Sequence, residues 1–107
     1  MNLDQLANQY KALGHPARLR ILNLLTENQS LCVCEIMRVL DYGQSFVSRH
    51  LAILRDAELA TTEKHGTWVH YRLTPRAVEL LKAGELQNVS QLSNDLVQLN
   101  TAQCEPC

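Results

Sequence analysis

The fold is decided by residues 33–56, which read VCEIMRVLDYGQSFVSRHLAILRD. The second half of this stretch repeats Val47, Leu51 and Leu54 at spacings of four and three, which is the period of one helix face. The residues at 41–43 interrupt the helical pattern, and Gly43 is free to take a positive φ there. A short helix, a tight turn and a second helix form the helix-turn-helix layout of many DNA-binding proteins.

The second helix of this unit carries polar and basic side chains opposite its apolar stripe. Such a face suits the major groove, because glutamine and arginine can contact adenine and guanine bidentately and serine can contact bases or phosphates. For any single residue, the alternative is an ordinary solvated helix face. The candidate DNA-contacting residues on this helix are Gln44, Ser45, Ser48, Arg49 and, facing phosphate, His50.

The flanking sequence predicts further helices and one hairpin. Helices are expected over residues 3–13, 16–27, 33–40 and 44–57, and a two-stranded hairpin over 61–73 with its turn at 64–67. Thr74 and Pro75 then start a last helix that runs to about residue 99, with Gly84 as a point of interruption. The hairpin adds three candidates for contact with DNA, namely Lys64, His65 and Arg72.

These elements predict a mainly α fold with a small β-hairpin wing, in the order α-α-α-α-β-β-α. We interpret residues 1–99 as one winged helix-turn-helix domain for DNA binding and dimerisation. Residues 100–107 are interpreted as a mobile tail that contains cysteines. The core of a 107-residue chain is modest, so we expect a dimer that buries further surface.

The composition favours a DNA-binding regulator over other classes of protein. The net charge is only −1, but residues 44–76 hold five basic and three acidic side chains, which concentrates positive charge in the predicted DNA-reading segment. No apolar run approaches ~18 residues and the N-terminus lacks a secretory signal, so we expect a cytoplasmic protein that does not span a membrane. The sequence has no nucleophile–base, paired-carboxylate or glycine-rich phosphate motif, so an enzyme is the weaker interpretation.

Four cysteines occur as two close pairs, Cys32 with Cys34 and Cys104 with Cys107. In a reducing compartment such pairs favour metal binding or redox chemistry over structural disulfides. In a regular helix, side chains two residues apart point ~200° apart, so joint binding by Cys32 and Cys34 requires an extended or distorted helix start. A helix N-terminus tends to lower a thiol pKa, which favours the thiolate that binds metals. The alternatives are that the first pair is small apolar filler and that the second is a freely reducible dithiol or has no role.

Four stretches together resemble the signature regions of the ArsR/SmtB family, dimeric winged-helix repressors that sense metals and metalloids. They are LGHPARLRILNLL (13–25), LCVCEI (31–36), QSFVSRHLAILRDAELA (44–60) and WVHYRL (68–73). The resemblance implies a homodimer, formed by the first and last helices, that binds an inverted-repeat operator in double-stranded DNA. The chain departs from the family where Glu58 replaces a frequent glycine and where Tyr42-Gly43 replaces a Leu-Ser pair.

The resemblance also implies a role for the LCVC motif. Family members use it to bind As(III) or Sb(III), or Cd(II) or Pb(II), and binding releases the DNA. In arsenic-sensing members that hold all ligands on one helix, a third cysteine falls where Met37 stands. We therefore expect a third thiolate from Cys104 or Cys107, in the same or the partner subunit, whereas use of both would suit Cd(II) or Zn(II). A thiol redox or sulfur-species switch on the same fold is the alternative to ion sensing.

Overall fold

The computed structural model describes residues 1–27, 30–82 and 85–101, and it confirms a winged helix-turn-helix architecture. The helices are α1 Leu3–Leu13, α2 Pro16–Leu24, α3 Val33–Leu40, α4 Gln44–Asp56, α5 Pro75–Leu81 and α6 Ser90–Thr101. The strands are β1 Leu31–Cys32, β2 Ala60–His65 and β3 Trp68–Leu73. Short 3-10 turns at Leu25–Glu27 and Leu86–Asn88 follow α2 and precede α6.

A single apolar core joins α2 to the helix-turn-helix unit of α3 and α4. The predicted stripe of α4, Val47, Leu51 and Leu54, has no exposed surface, and Ile21 of α2 and Ile36 of α3 are equally buried. Burial of each such side chain contributes about 1.5–3 kcal/mol to folding. The apolar back of α4 therefore fixes which of its faces remains available for DNA.

The turn between α3 and α4 relies on a different residue from the expected one. Asp41 has a φ of 59° and its N–H donates to the Met37 carbonyl at 2.8 Å, whereas Gly43 has a φ of −72° and is the N-cap of α4. Aspartate tolerates the left-handed region because its short polar side chain can form local hydrogen bonds. Gly43, although free to take a positive φ, does not do so, since the left-handed residue is the C-cap of α3, two positions earlier.

The wing is a three-stranded antiparallel sheet in the order β1-β3-β2, so the expected hairpin has an additional strand. The turn is tighter than predicted: His65 pairs with Trp68, which leaves only Gly66 and Thr67 between the strands, and Gly66 has a φ of 66°. On the other side of β3, Leu31 pairs with Tyr71 and Cys32 with His70. The segment that contains Cys32 is thus part of the wing.

The C-terminal part consists of two helices where one long helix was predicted. Thr74 is the N-cap of α5, as expected, and its Oγ1 accepts a hydrogen bond from the Ala77 N–H at 3.1 Å. The predicted interruption at Gly84 lies outside the described residues, but α5 ends at Leu81 and α6 begins at Ser90. The last helix is therefore a separate element that packs on α2 and α3.

Candidate DNA-reading surface and cysteine site

The N-terminal half of α4 presents the predicted DNA-reading residues to solvent. Gln44, Ser45, Ser48 and Arg49 are all exposed, while Val47 between them is fully buried. Arg49 also lies 5.6 Å from the centroid of the Phe46 ring, close enough for a cation–π contact. The surface therefore offers bidentate donors and hydroxyls on a rigid helix, which is the chemistry that base-edge contacts require.

His50 occupies a different environment from the other four. Only 5% of its surface is exposed, and its Nδ1 lies 3.2 Å from Nη1 of Arg18. A guanidinium can only donate, so Nδ1 accepts and the proton resides on Nε2, a buried atom with no hydrogen-bond partner among the described residues. Burial, together with the nearby His15 and Arg18, lowers the pKa of His50. In this conformation the ring has almost no surface with which to meet a phosphate.

The wing residues Lys64, His65 and Arg72 are exposed, as a contact with the DNA backbone requires. Glu63 lies between the last two, with its Oε1 2.7 Å from His65 Nε2 and 3.4 Å from Arg72 Nη2. The His65 hydrogen bond and the charge of Arg72 hold the pKa of Glu63 below its ordinary value. The His65 ring stacks on His70 with centroids 4.1 Å apart, which connects this surface to the strand that pairs with Cys32.

Cys32 lies at the junction between the wing and the helix-turn-helix unit. It is the last residue of β1 and the N-cap of α3, with an extended backbone (φ −82°, ψ 165°) and only 4% of its surface exposed. Its thiol is free, and its N–H donates to Oε1 of Glu35 at 3.2 Å. Burial raises the pKa of the Cys32 thiol by more than the backbone of Glu35 lowers it. The expected lowering of this pKa was therefore wrong, because a helix start that is buried disfavours the thiolate.

Cys34 is the second residue of α3 and is half-buried. Because the helix begins after Cys32, the ~200° separation of a regular helix does not apply to this pair. Cys34 is disulfide-bonded in the structure, so only its reduced form can supply a thiolate. It lines an open groove of about 380 Å³ together with Met37 and Tyr42.

The remaining predicted ligands, Cys104 and Cys107, lie outside the described residues. Within residues 1–27, 30–82 and 85–101, no group of three or more histidine, cysteine or acidic side chains is arranged to hold a metal ion. The described residues thus include two of the four predicted cysteine ligands, the free Cys32 with its extended backbone and the disulfide-bonded Cys34.

Sequence reasoning missed two partners of Cys32. Glu35 closes the N-terminus of α3 from position N3, and a cysteine-x-x-glutamate pattern before an apolar run is a variant of the capping box. That spacing could have identified Glu35. His70 could not have been identified in the same way, because a strand of two residues leaves no periodic pattern in the sequence.

Both α1 and α6 expose large apolar side chains to solvent. On α1, Leu3 is 79% and Tyr10 58% exposed, and on α6 Val97 is 59% exposed. In contrast, Leu92 and Leu99 of α6 are buried within the single chain. Those two leucines serve the core of one subunit, so a dimer contact on α6 would use other residues.

Comparison with known proteins agrees with this architecture. The model of the family described as "Bacterial regulatory protein, arsR family" matches residues 15–62. The arsenical resistance operon repressor of Escherichia coli K12 is 48% identical over 66 residues, which cover 62% of this chain and 56% of that protein. The arsenic resistance transcriptional regulator ArsR1 of Pseudomonas putida is 36% identical over 94 residues, covering 84% of this chain and 73% of that protein.

Solved structures give the same result. HlyU from Vibrio cholerae has a TM-score of 0.70 at 30% identity, covering 79% of this chain and 95% of that one. The homodimeric winged helix-turn-helix domain of Mb0332 from Mycobacterium bovis, solved by NMR, has a TM-score of 0.68 at 26% identity, covering 95% of this chain and 90% of that one. None of the described helices of this chain is long and apolar enough to cross a membrane.

Proposed function

The chain belongs to the arsR family of bacterial regulators, which are DNA-binding transcription factors and not enzymes. We propose that it is a cytoplasmic repressor that a thiophilic ion releases from its operator. In the proposed cycle, a homodimer binds an inverted repeat in double-stranded DNA. Two α4 helices related by a twofold axis then meet half-sites about one DNA turn, ~34 Å, apart. Binding of the ion to cysteine thiolates favours a state with low affinity for DNA.

The proposed DNA contacts fall into two groups. Gln44, Ser45, Ser48 and Arg49 on α4 read base edges, because they are exposed at the end of the helix that enters the major groove in this fold. Lys64, His65 and Arg72 of the wing contact the phosphate backbone. We leave His50 out of the direct contacts because its ring is buried, and assign it to the support of α4 from behind.

The proposed dimer uses α1 and α6. The exposed apolar side chains of Leu3, Tyr10 and Val97 would be removed from water by a second copy, which supplies the burial that a small domain needs. The homodimeric state of the related Mycobacterium bovis domain supports this arrangement. A substitution such as Leu3→Asp should weaken the dimer without unfolding the subunit, because Leu3 contributes little to its core.

The observation that carries the ion proposal is the position of Cys32. A ligand that requires its thiolate competes with the burial and protonation of the thiol, and with the pairing of β1 to β3. Each backbone hydrogen bond lost in that pairing is worth about 0.5–1.5 kcal/mol, and typical allosteric coupling is about 1–3 kcal/mol. Release of one short strand would therefore be sufficient, and it would act on the wing and on α3 at once.

The proposed inducer is As(III) or Sb(III), bound by Cys32, Cys34 and one of Cys104 and Cys107. Several relatives are named as repressors or regulators of arsenic resistance, which supports this choice. A further relative from Synechocystis is named as a homologue of the SmtB repressor, so Cd(II), Pb(II) or Zn(II) remains the alternative inducer. All of these ions are consistent with sulfur ligands.

The test is a release titration on an operator obtained by selection from random duplex DNA. Fluorescence anisotropy of the labelled operator would follow addition of arsenite, cadmium, zinc or peroxide to the reduced wild type. The same titrations would use the Cys32→Ser variant and the Cys104→Ser/Cys107→Ser double variant. We expect arsenite to release the wild type at the lowest concentration, and both variants to respond much more weakly. An unchanged response of the double variant would rule out tail ligands.

A matched gain-of-function variant controls for damage to the fold. Met37 lies one turn after Cys34 and lines the same groove, so Met37→Cys would place a third thiol on α3. In the background of Cys104→Ser/Cys107→Ser, this change should restore release by arsenite but not by zinc. Failure to restore it, with operator affinity intact, would argue against a three-thiolate site at this helix.

A redox switch is the second candidate function. The disulfide bond of Cys34 favours it, because the same thiol cannot be both oxidised and available as a ligand. It predicts that peroxide releases the operator in the presence of a chelator, and that a thiol reductant reverses the release. If oxidant acts only when metal or metalloid is present, this candidate fails.

A further inference from the structure

A largely buried network of hydrogen bonds connects the last helix to the DNA-reading unit. Arg20 of α2 lies between Asp95 of α6 and Tyr42 of the turn that precedes α4. Its Nε donates to Asp95 Oδ2 at 2.9 Å, its Nη2 to Asp95 Oδ1 at 3.0 Å, and its Nη1 to the Tyr42 hydroxyl at 2.9 Å. One planar side chain therefore joins two elements that are 53 residues apart in the sequence, 42 to 95.

The geometry of this group leaves little freedom. The ion pair is bidentate, and the side chains of Arg20 and Asp95 are only 17% and 6% exposed. The hydrogen bond that Arg20 donates to Asp95 raises the pKa of Arg20, so the guanidinium is charged at neutral pH. Removal of one partner leaves the other as a buried unpaired charge, so the pair resists separation. Because the guanidinium fork is rigid, a displacement of Asp95 also reorients the donor that holds Tyr42.

From Tyr42 the contacts continue along α4. The Arg20 guanidinium lies 5.1 Å from the centroid of the Tyr42 ring, and the centroids of the Tyr42 and Phe46 rings are 4.8 Å apart. The Phe46 ring contacts the buried His50 ring, with centroids 4.4 Å apart, and the guanidinium of the exposed Arg49 lies over the Phe46 ring. The series ends on the face of α4 that is proposed to read DNA.

We infer that Arg20 is a positioning residue through which the placement of the last helix determines the orientation of the DNA-reading helix. Since α6 also carries part of the proposed dimer surface, assembly of the dimer and affinity for the operator are linked through this side chain. The inference requires only that the chain binds DNA through α4, and it is independent of which ion, if any, acts as inducer.

The purely structural alternative is that this ion pair only adds stability. A double-mutant cycle separates the two, because a shared network gives non-additive effects on operator affinity and independent local contacts do not. The variants are Asp95→Asn, Tyr42→Phe and the combination of both. Glu79→Gln is the matched control, since it removes one carboxylate charge from an exposed pair with Arg76 on α5.

The readouts are operator affinity by anisotropy, dimerisation by sedimentation, and the melting temperature, all on the full chain with reduced thiols. We expect Asp95→Asn to weaken operator binding by about tenfold and Tyr42→Phe by about threefold at protein concentrations where the dimer is complete. The double variant should bind no worse than Asp95→Asn alone. Glu79→Gln should bind like the wild type.

Two outcomes would overturn the inference. One is a double variant whose loss is the product of the single losses, about thirtyfold. The other is an Asp95→Asn variant that melts earlier but binds the operator with full affinity. If Asp95→Asn does not fold, the same cycle is run with Arg20→Lys, which retains the positive charge but loses the two-pronged contact.

Discussion

Replacement of Glu58 by glycine should stabilise the protein, although glycine usually weakens a fold. Glu58 follows the recognition helix and has a φ of 63°, in the left-handed region. Its N–H donates to the Arg55 carbonyl at 2.9 Å, and the next residue returns a hydrogen bond to Leu54 at 2.9 Å. These bonds belong to the backbone, so the variant retains them while the strained Cβ is removed.

The expected gain follows from two opposing terms. A left-handed conformation costs a residue with a Cβ about 1–2 kcal/mol. Glycine loses about 0.5–1 kcal/mol more conformational entropy than alanine on folding. The difference is a net stabilisation of roughly 0.5–1 kcal/mol. With an unfolding entropy of about 2.1 cal/mol/K per residue, this corresponds to a rise in melting temperature of about 2–5 °C.

Thermal unfolding measured by circular dichroism at one fixed protein concentration would check the value, because the stability of a dimer depends on concentration. Glu58→Ala is the matched control, since it removes the carboxylate but retains the Cβ and the strain. The reasoning requires the glycine variant to melt above both the alanine variant and the wild type. If Glu58→Ala is as stable as Glu58→Gly, the backbone argument is refuted and the effect belongs to the carboxylate.

Three further predictions concern the site. Arg49→Ala should weaken binding to the selected operator by ~10–150-fold with little change in salt dependence. Lys64→Ala should instead weaken binding to all sequences and reduce the salt slope by about 1. Fluorescence anisotropy at several salt concentrations separates the two effects. Because the pKa of buried His50 is lowered, its contribution to stability is complete above the unfolded pKa of about 6.5 and is lost as pH falls from there to the folded pKa. Urea unfolding between pH 8 and 5 should therefore show a fall in the free energy of unfolding, and His50→Gln should reduce that fall. Because the pKa of Cys32 is raised, Cd(II) must displace a proton from it and should release the operator more effectively at pH 8 than at pH 6.5. Release by arsenite should depend little on pH, because its hydroxyl groups leave as water with the thiol protons.

The order of the helices could be predicted from the sequence because α4 and the hairpin have strong periodic patterns. Val47, Leu51 and Leu54 identified the buried side of α4, and all three are completely buried. The additional strand β1 could not be predicted, because its two residues form a strand only through tertiary pairing with Tyr71 and His70. The permissive Gly43 did not reveal that Asp41 is the left-handed residue of the turn, because glycine is the most permissive residue but is not required wherever the chain turns.

The candidate site was predictable in its residue types and less so in their environments. The spacing of Cys32 and Cys34 indicated an extended helix start, and Cys32 is extended. Its burial depends on tertiary structure that includes the pairing of β1 with β3, which no local pattern encodes, and so the direction of its pKa shift could not be predicted. The same holds for His50, which is adjacent to the exposed Arg49 in the sequence but is itself buried.

In the proposed cycle, we expect the contacts of Cys32 and Arg20 to favour the operator-binding state once Cys34 is reduced. Cys32 is buried with a raised pKa, so at neutral pH the thiol is protonated and the pairing of β1 with the wing is intact. Arg20 holds α6 and Tyr42 by three hydrogen bonds to buried or half-buried partners. In the proposed cycle, a ligand that releases the operator would have to break one of these two arrangements. An ion with high affinity for thiolates can supply the free energy that this requires, since a shift of 1.4 kcal/mol already changes operator affinity about tenfold.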